Sequence, residues 1–460
     1  MVTEDQTRVS RWRAFNGEFD ANGFQQMPRP NTPPFHGIIG VIAFDITDHH
    51  DTAYNPNGIN GQIDQPKNCT YFSHLLCVFA RGLSKLLFYR SFVAMKPPQR
   101  ILFSVTNDLS YDQRMHRICG TLADAGYEVY LIGRHLPNSL PLTERSFRQV
   151  RLRCWTHKGF AFYGEFNIRL LFFLVKTRFD AVCSIDLDTL PAGWLGSLLK
   201  NKKRVFDAHE YFTEVPEVVH RPLVKWFWTC VAYFILPFYK HAYTVGPALA
   251  HVFSKKHHIP FTIIRNVPYI IPLVEFREKH PKILLYQGAL NEGRGIEALL
   301  EAMTLLPDGF ALWLAGEGDL SADLRARAMS LKLDQKVRFL GFIKPEALKD
   351  ITDQAWLGLN LLENKGESYY YSLANKFFDY VQARIPMLTM NFPEYAALNQ
   401  QYKVAVLMDD LNPKIIAEKI QELANKPDLY RSLQSNCDSA AQEWNWENER
   451  VVLLEFWKNV

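Results

Sequence analysis

The chain has 460 residues, enough for two or three domains with their own cores, and 48 % of them are apolar against 22 % charged. That mix excludes a peptide-sized or wholly disordered protein. With 52 basic and 48 acidic side chains the formal charge is only +4, too small a field for binding nucleic acid through charge, so no nucleic-acid partner is expected.

Residues 1–94 read differently from the rest. Up to Lys67 the segment is rich in Asn, Pro, Gly, Asp and Gln, and an isolated apolar patch follows from Tyr71 to Ala94. It reads as a disordered extension or as a stretch before the true initiator, Met95. The first 31 residues lack a cationic start followed by an apolar run, so no signal peptide is read. Seven cysteines (Cys69, Cys77, Cys119, Cys154, Cys183, Cys230, Cys437) show no C-x-x-C spacing, which fits a reducing cytosol better than a zinc ribbon or disulfide framework.

From Met95 onward, short apolar runs alternate with helical patterns, the signature of parallel βαβ units. A strand over 101–106 leads through an Asn-Asp-Leu-Ser turn to a helix over 112–125, stopped by Gly126, and a second strand follows over 128–133. Further strands are predicted at 181–185, 204–207 and 241–245. A second array has strands at 283–287, 311–315, 337–341, 357–361 and 387–390. Pro268, Pro272 and the charged run Arg277-Glu278-Lys279 mark a linker. The fold class is therefore α/β, with two doubly wound Rossmann-like domains, 95–270 and 271–460, facing a central cleft. Residues 413–460 read as three helices, and Trp444, Trp446, Phe456 and Trp457 there need a surface to pack on.

In such a fold each βα turn aims a helix N-terminus at the cleft, where free N–H groups and the dipole favour phosphate. Three turns qualify. Gly288 opens a run with Gly293, Arg294 and Gly295; Gly316 and Gly318 form a G-x-G after a strand; Ser372, Asn375 and Lys376 precede a helix over 377–383. A lysine in a first turn opposes the helix dipole, so Lys376 is better explained by a bound anion. Asp379, one turn beyond Asn375, can accept ribose hydroxyls. In the first array Asp207, His209 and Glu210 close a strand at the cleft edge, and His209 titrates near neutrality. Asn107, Asp108, Asp112 and Arg114 face the same edge, on the acceptor side.

From Met95 to its end the chain resembles the GT-B glycosyltransferases of family 4, the group 1 enzymes. The segments that carry the resemblance are Asp112-Gln113-Arg114-Met115 with Gly126-Tyr127-Glu128-Val129, Asp207-Ala208-His209-Glu210, Tyr286-Gln287-Gly288 with Gly293-Arg294-Gly295, Gly316-Glu317-Gly318, and Ser372 to Tyr380. The resemblance implies a hexosyltransferase that takes a sugar from a nucleotide-sugar donor to a hydroxyl of a glycan or lipid-linked acceptor, as in cell-envelope polysaccharide biosynthesis. It also implies retention of anomeric configuration through front-face transfer, with no essential metal or other cofactor. Donor contacts fall mainly in the second domain: Arg294 matches the family's diphosphate-binding cation and Asp379 the second acid of its E-x7-E motif, while His209 matches the histidine near the transferred sugar. Two positions depart from the pattern, Tyr371 in place of the first Glu and Ala289 in place of an arginine; Asn375 and Lys376 are expected to compensate.

Two other readings stay open, an inactive nucleotide-sugar-binding scaffold and a sugar-nucleotide epimerase. The longest apolar stretch, Trp226 to Tyr239 with Pro237 inside it, is short of the about 20 residues a membrane span needs. Flanked by lysines, it suits a membrane interface at the inner face of the cytoplasmic membrane or, equally, the buried core of the first domain.

Overall fold

The structure, a computed structural model, describes residues 99–272 and 281–460. The expectations for residues 1–94 and for the charged part of the linker therefore lie outside the described residues. Sheet A contains β1 (Arg100–Ser104), β2 (Glu128–His135), β3 (Arg148–Arg153), β4 (Ala181–Ile185), β5 (Lys203–Ala208), β6 (His241–Thr244) and β7 (Phe261–Ile263), in the order β3-β2-β1-β4-β5-β6-β7. Sheet B contains β8 (Lys282–Gln287), β9 (Phe310–Ala315), β10 (Val337–Gly341), β11 (Leu357–Asn360), β12 (Met387–Met390) and β13 (Ala405–Met408), in the order β10-β9-β8-β11-β12-β13. The pairings are parallel throughout. The two doubly wound domains of the GT-B architecture are thus present.

The inner strands are apolar on both faces because both faces are covered. Ile101, Phe103, Val129 and Leu131 pack on one side of sheet A, while Leu102, Tyr130, Ile132 and Val182 pack on the other. Helix α1 (Gln113–Asp124) covers the first side with Met115, Ile118, Cys119 and Leu122. The second side carries α2 (Gly159–Lys176), and α3 (Leu190–Lys200) packs beside it. Next along the chain come α4 (Pro222–Ile235) and α5 (Pro247–His257). In the second domain, α6 (Asn375–Gln382) follows β11 and α7 (Pro393–Gln401) follows β12.

The last helix, α8 (Trp446–Lys458), does not stay with the second domain, where its place in the sequence puts it. It packs on α1 and sheet A: Trp446 Nε1 donates to Thr121 Oγ1 at 2.9 Å, Trp457 meets Phe103, and Arg265 pairs with Glu449 at 2.9 Å. The surface that the C-terminal aromatics need is the first domain. The chain thus passes from the first domain to the second at 268–271 and back at 444–446. Both passages are tied to the end of α6, since Gln382 accepts the Ile271 amide and donates to the carbonyls of Ala441 and Trp444.

Helix α4 also departs from one of its two expected environments. Only Trp228 and Ala232 are buried, so it is not a core helix.

Candidate active site

Strand order reverses between β1 and β4 in sheet A and between β8 and β11 in sheet B, and ligands of doubly wound sheets bind at such reversals. A cleft of about 530 Å³ opens there, lined from both domains.

On the sheet A wall the turn after β1 is a helix cap. Asn107 donates to Asp112 at 2.7 Å, and Asp112 accepts the Met115 amide at 3.0 Å. Arg114 is almost fully buried: its Nη2 and Nε donate to Asp207 at 2.9 and 3.4 Å, and its Nη1 to the Ile264 carbonyl at 2.9 Å. Asp207, at the end of β5, also bonds His209 Nε2 at 3.0 Å. The other ring nitrogen lies 3.9 Å from Asp186, whose Oδ1 accepts the His209 amide at 2.9 Å. Burial works against a charged imidazole, but Asp207 and Asp186 outweigh it and push His209 up to about 9. Burial likewise opposes ionisation of Asp207, yet Arg114 and His209 hold it below the usual carboxylate range. Arg114, Asp207 and His209 form a row of alternating charge, buried at Arg114 and Asp207 and half-buried at His209.

The sheet B wall is different. Lys376 in the first turn of α6 is 8 % exposed, and among the described residues its Nζ has no hydrogen-bond partner. The ammonium lies 3.7 Å from the centroid of Tyr286, and a Cβ at Gly288 would sit 3.5 Å from it. Burial and the neighbouring Arg294 pull the Lys376 ammonium well below the usual lysine range. Asp379 accepts Gln287 Nε2 at 2.9 Å, and Gln287 Oε1 in turn accepts Thr352 Oγ1 at 2.9 Å. Burial pushes the Asp379 carboxyl up to about 6. Asn375 joins the walls by accepting Asn266 Nδ2 at 2.7 Å.

The cleft thus brings together Asn107, Arg114, His209, Gly288, Asn375, Lys376 and Asp379. Other expected site residues lie elsewhere or act otherwise. Asp108 is turned from the cleft, bonded to Ser110, Ser139 and Arg151, the last at 2.6 Å. Arg114 lines the cleft, but its guanidinium is held by Asp207 rather than offered to a ligand. Glu210 borders a smaller cavity with Asp186, Tyr211 and Phe212. Ser372 donates to the Tyr369 carbonyl at 2.8 Å and caps nothing; the residue before α6 is Ala374. Gly316 and Gly318 line none of this cleft. A Cβ at Gly316 would fall 1.9 Å from the Gly288 carbonyl oxygen, so these glycines allow two phosphate-side loops to touch. Arg294 stacks on Tyr369 at 4.8 Å with its Nε buried and unpartnered, near Lys376 but outside the cleft wall. Tyr371 packs on the Tyr370 ring at 5.1 Å, and Ala289 offers its carbonyl to the Tyr286 hydroxyl at 2.8 Å.

Several cleft residues were not anticipated as site residues: Tyr111, Gln113, Val245, Asn266, Gln287 and Leu348. Asp186 and Asp188 behind His209 belong with them. Asp186 adopts a left-handed backbone with φ 52°, and burial raises both carboxyls, Asp188 to about 6. Their signal in the sequence is the Asp-Leu-Asp ending β4, at the strand reversal.

Two family models match successive stretches of the chain: "Glycosyltransferase Family 4" over residues 113–271 and "Glycosyl transferases group 1" over residues 274–444. The chain belongs to the group 1, family 4 type of glycosyltransferase. Solved structures share the fold of this glycosyltransferase at low identity. Sucrose-phosphate synthase from Thermosynechococcus elongatus is 16 % identical with a TM-score of 0.63, covering 78 % of this chain and 98 % of its own. Anabaena HepE in complex with UDP-glucose is 13 % identical with a TM-score of 0.64, covering 78 % and 100 %. WaaG, a glycosyltransferase involved in lipopolysaccharide biosynthesis, is 15 % identical with a TM-score of 0.60, covering 77 % and 99 %. No curated protein matches this glycosyltransferase in sequence.

Proposed function

We propose that this glycosyltransferase holds the diphosphate of a nucleotide sugar against Lys376, Arg294 and the N-terminus of α6, with the ribose on Asp379 and the transferred sugar toward His209. The observation that carries this reading is the buried Lys376 ammonium without a partner at Nζ. An uncompensated buried cation costs several kcal/mol, and a diphosphate entering the cleft compensates it. Gly288 leaves room for the anion, and the free N–H groups of α6 add donors.

The chemistry follows from that placement. As the bond from the anomeric carbon to the diphosphate breaks, negative charge grows on the leaving oxygens, where the buried Lys376 and the neighbouring Arg294 stabilise it. The protein's own cations take the role a metal would otherwise fill, so no metal is required in this reading. The acceptor hydroxyl enters from the sheet A side and passes its proton to the departing diphosphate, on the same face of the sugar, which retains anomeric configuration. Asp207 keeps His209 protonated as a donor toward sugar hydroxyls rather than as a base. The acceptor is read as a glycan or lipid-linked hydroxyl, with transfer on the cytoplasmic side of the envelope.

Thermal stability against UDP, GDP, ADP and their sugars tests the donor reading. A ligand at 100 times its Kd stabilises the fold by about 2.7 kcal/mol. HepE is recorded with UDP-glucose, which makes the uridine series the first to try. No shift with any nucleotide overturns the donor reading, and a shift without slow hydrolysis of the donor favours an inactive nucleotide-sugar-binding scaffold. A product of inverted anomeric configuration, read by NMR, overturns retention alone.

A further inference from the structure

The outer helices of sheet A are apolar on the side that faces away from the sheet. Helix α2 turns Phe162, Phe166, Leu170 and Leu174 inward, yet Phe160, Ile168, Phe172 and Val175 on its other side are exposed. Helix α4 repeats this. Outside Trp228 and Ala232, residues Leu223, Trp226, Tyr233 and Phe234 recur at helical spacing and keep 79, 67, 70 and 66 % of their surface exposed. The Phe160 and Phe227 rings meet at 5.2 Å and join the two stripes, and Leu198 and Leu199 of α3 are exposed nearby. An ordinary surface helix is polar outward, and an apolar patch of this extent marks an interaction site.

The exposed charges around the patch are predominantly basic, with Glu165 and Glu214 each held in a pair with Arg169 and Lys225. Across α2, α3 and α4 the only acid is Glu165, which accepts the Trp155 and Thr156 amides and pairs with Arg169. Against it stand Arg169, Lys176, Lys200 and Lys225, with Lys158, Arg178, Arg221 and Lys240 exposed at the helix ends. A second copy seated on the same face would set cations against cations. A surface with anionic phosphates above an apolar layer would satisfy both the rim and the stripe. No helix among the described residues is long and apolar enough to cross a membrane.

We propose that α2, α3 and α4 form a docking face for an anionic lipid bilayer, with Trp226, Tyr233 and Phe234 in the headgroup–acyl boundary and the flanking lysines on lipid phosphates. The face reaches the contact between the two domains. Lys225 of α4 pairs with Glu214 at 2.8 Å, and the Glu214 carbonyl lies 3.4 Å from where a Cβ on Gly366 of the second domain would be. Docking therefore holds the first domain, which carries the acceptor side, at the lipid surface, and in that clause alone it rests on the lipid-linked acceptor reading above.

Sedimentation of the full chain with phosphatidylcholine vesicles, with and without phosphatidylglycerol, tests the proposal. The protein is expected to pellet with the phosphatidylglycerol vesicles and to be released only in part by high salt, because salt screens the rim but not the stripe. Trp226→Ser combined with Phe234→Ser should lower partitioning about tenfold or more. The nucleotide-induced thermal shift should stay unchanged in this variant, so failure of docking and failure of the donor reading separate cleanly. Should that variant unfold, Lys176→Glu with Lys240→Glu takes its place and should lose the preference for phosphatidylglycerol. Wild-type protein that ignores both vesicles, variants that sediment like wild type, or a dimer split by the Trp226/Phe234 change overturns the proposal.

Discussion

On the sheet A wall of the cleft Asp207 sits between two cations, Arg114 and His209, whereas on the sheet B wall Lys376 is buried with no partner at Nζ. Both walls hold ionisable groups away from water. The first wall balances their charge within the fold, so it can meet a neutral acceptor hydroxyl without needing a ligand for stability. The second is left unbalanced, and its stability improves when an anion arrives. Stability and affinity should therefore respond oppositely to mutation on the two sides.

Arg114→Ala should break the first wall with the largest effect. It leaves Asp207 buried and short of its main partner, a loss of about 3–5 kcal/mol measurable by denaturant unfolding. His209→Asn is next, and pH exposes it. Because the folded pKa of His209 is raised from 6.5 to about 9, its contribution is fully present below 6.5 and is lost as pH rises through about 9. Wild-type stability should fall over that window by up to about 3 kcal/mol, and the variant should lose the part of that fall that His209 contributes, keeping only what the buried Asp186 adds. Lys376→Met should leave stability unchanged or raise it, while kcat/KM for the nucleotide sugar drops roughly 10²-fold, the worth of a charge-assisted contact. A destabilised Lys376→Met protein would erase the contrast between the walls. The smallest effect belongs to Asp379. Its carboxyl is raised to about 6 and, in the ribose role proposed above, accepts hydroxyls best when ionised, so donor affinity should fall several-fold as pH drops through 6, and Asp379→Asn should remove that dependence.

The inner strands were legible because burial on both faces makes them continuous apolar runs, as in Ala181–Ile185 and Met387–Met390, whose limits agree with the sequence reading. The three strands the sequence did not reveal, β3, β7 and β13, are all sheet edges. β3 reads Arg-Gln-Val-Arg-Leu-Arg, its charges tolerated because an edge faces water, and β7 has three residues. The cations of the site were legible by contrast with local physics: a lysine in a first turn opposes the helix dipole, and so Lys376 stood out. Gln287 and Asp186 did not, since a polar residue at a strand end looks like any turn residue until the strand order is known. Gly316 was noticed for the right flexibility and the wrong neighbour: it makes room for the Gly288 carbonyl rather than for phosphate. The return of α8 to the first domain has no local signature, because the docking surface of Trp446 and Trp457 lies more than 300 residues upstream, at Thr121 and Phe103.

That return gives the protein two covalent pins between its halves, side by side at the buried Gln382. A body hung on two neighbouring pins swings about the line through them and resists shear, so opening and closing reduce to one rotation. Lys376 sits six residues from Gln382 on the same helix, about 9 Å along its axis. A swing of about 10° therefore displaces its backbone by only roughly 1.5 Å, while the far lip of the cleft travels much further. The cation assigned above to the leaving group is thus a part of the second domain that such a swing hardly moves, and the mouth of the cleft takes up the motion.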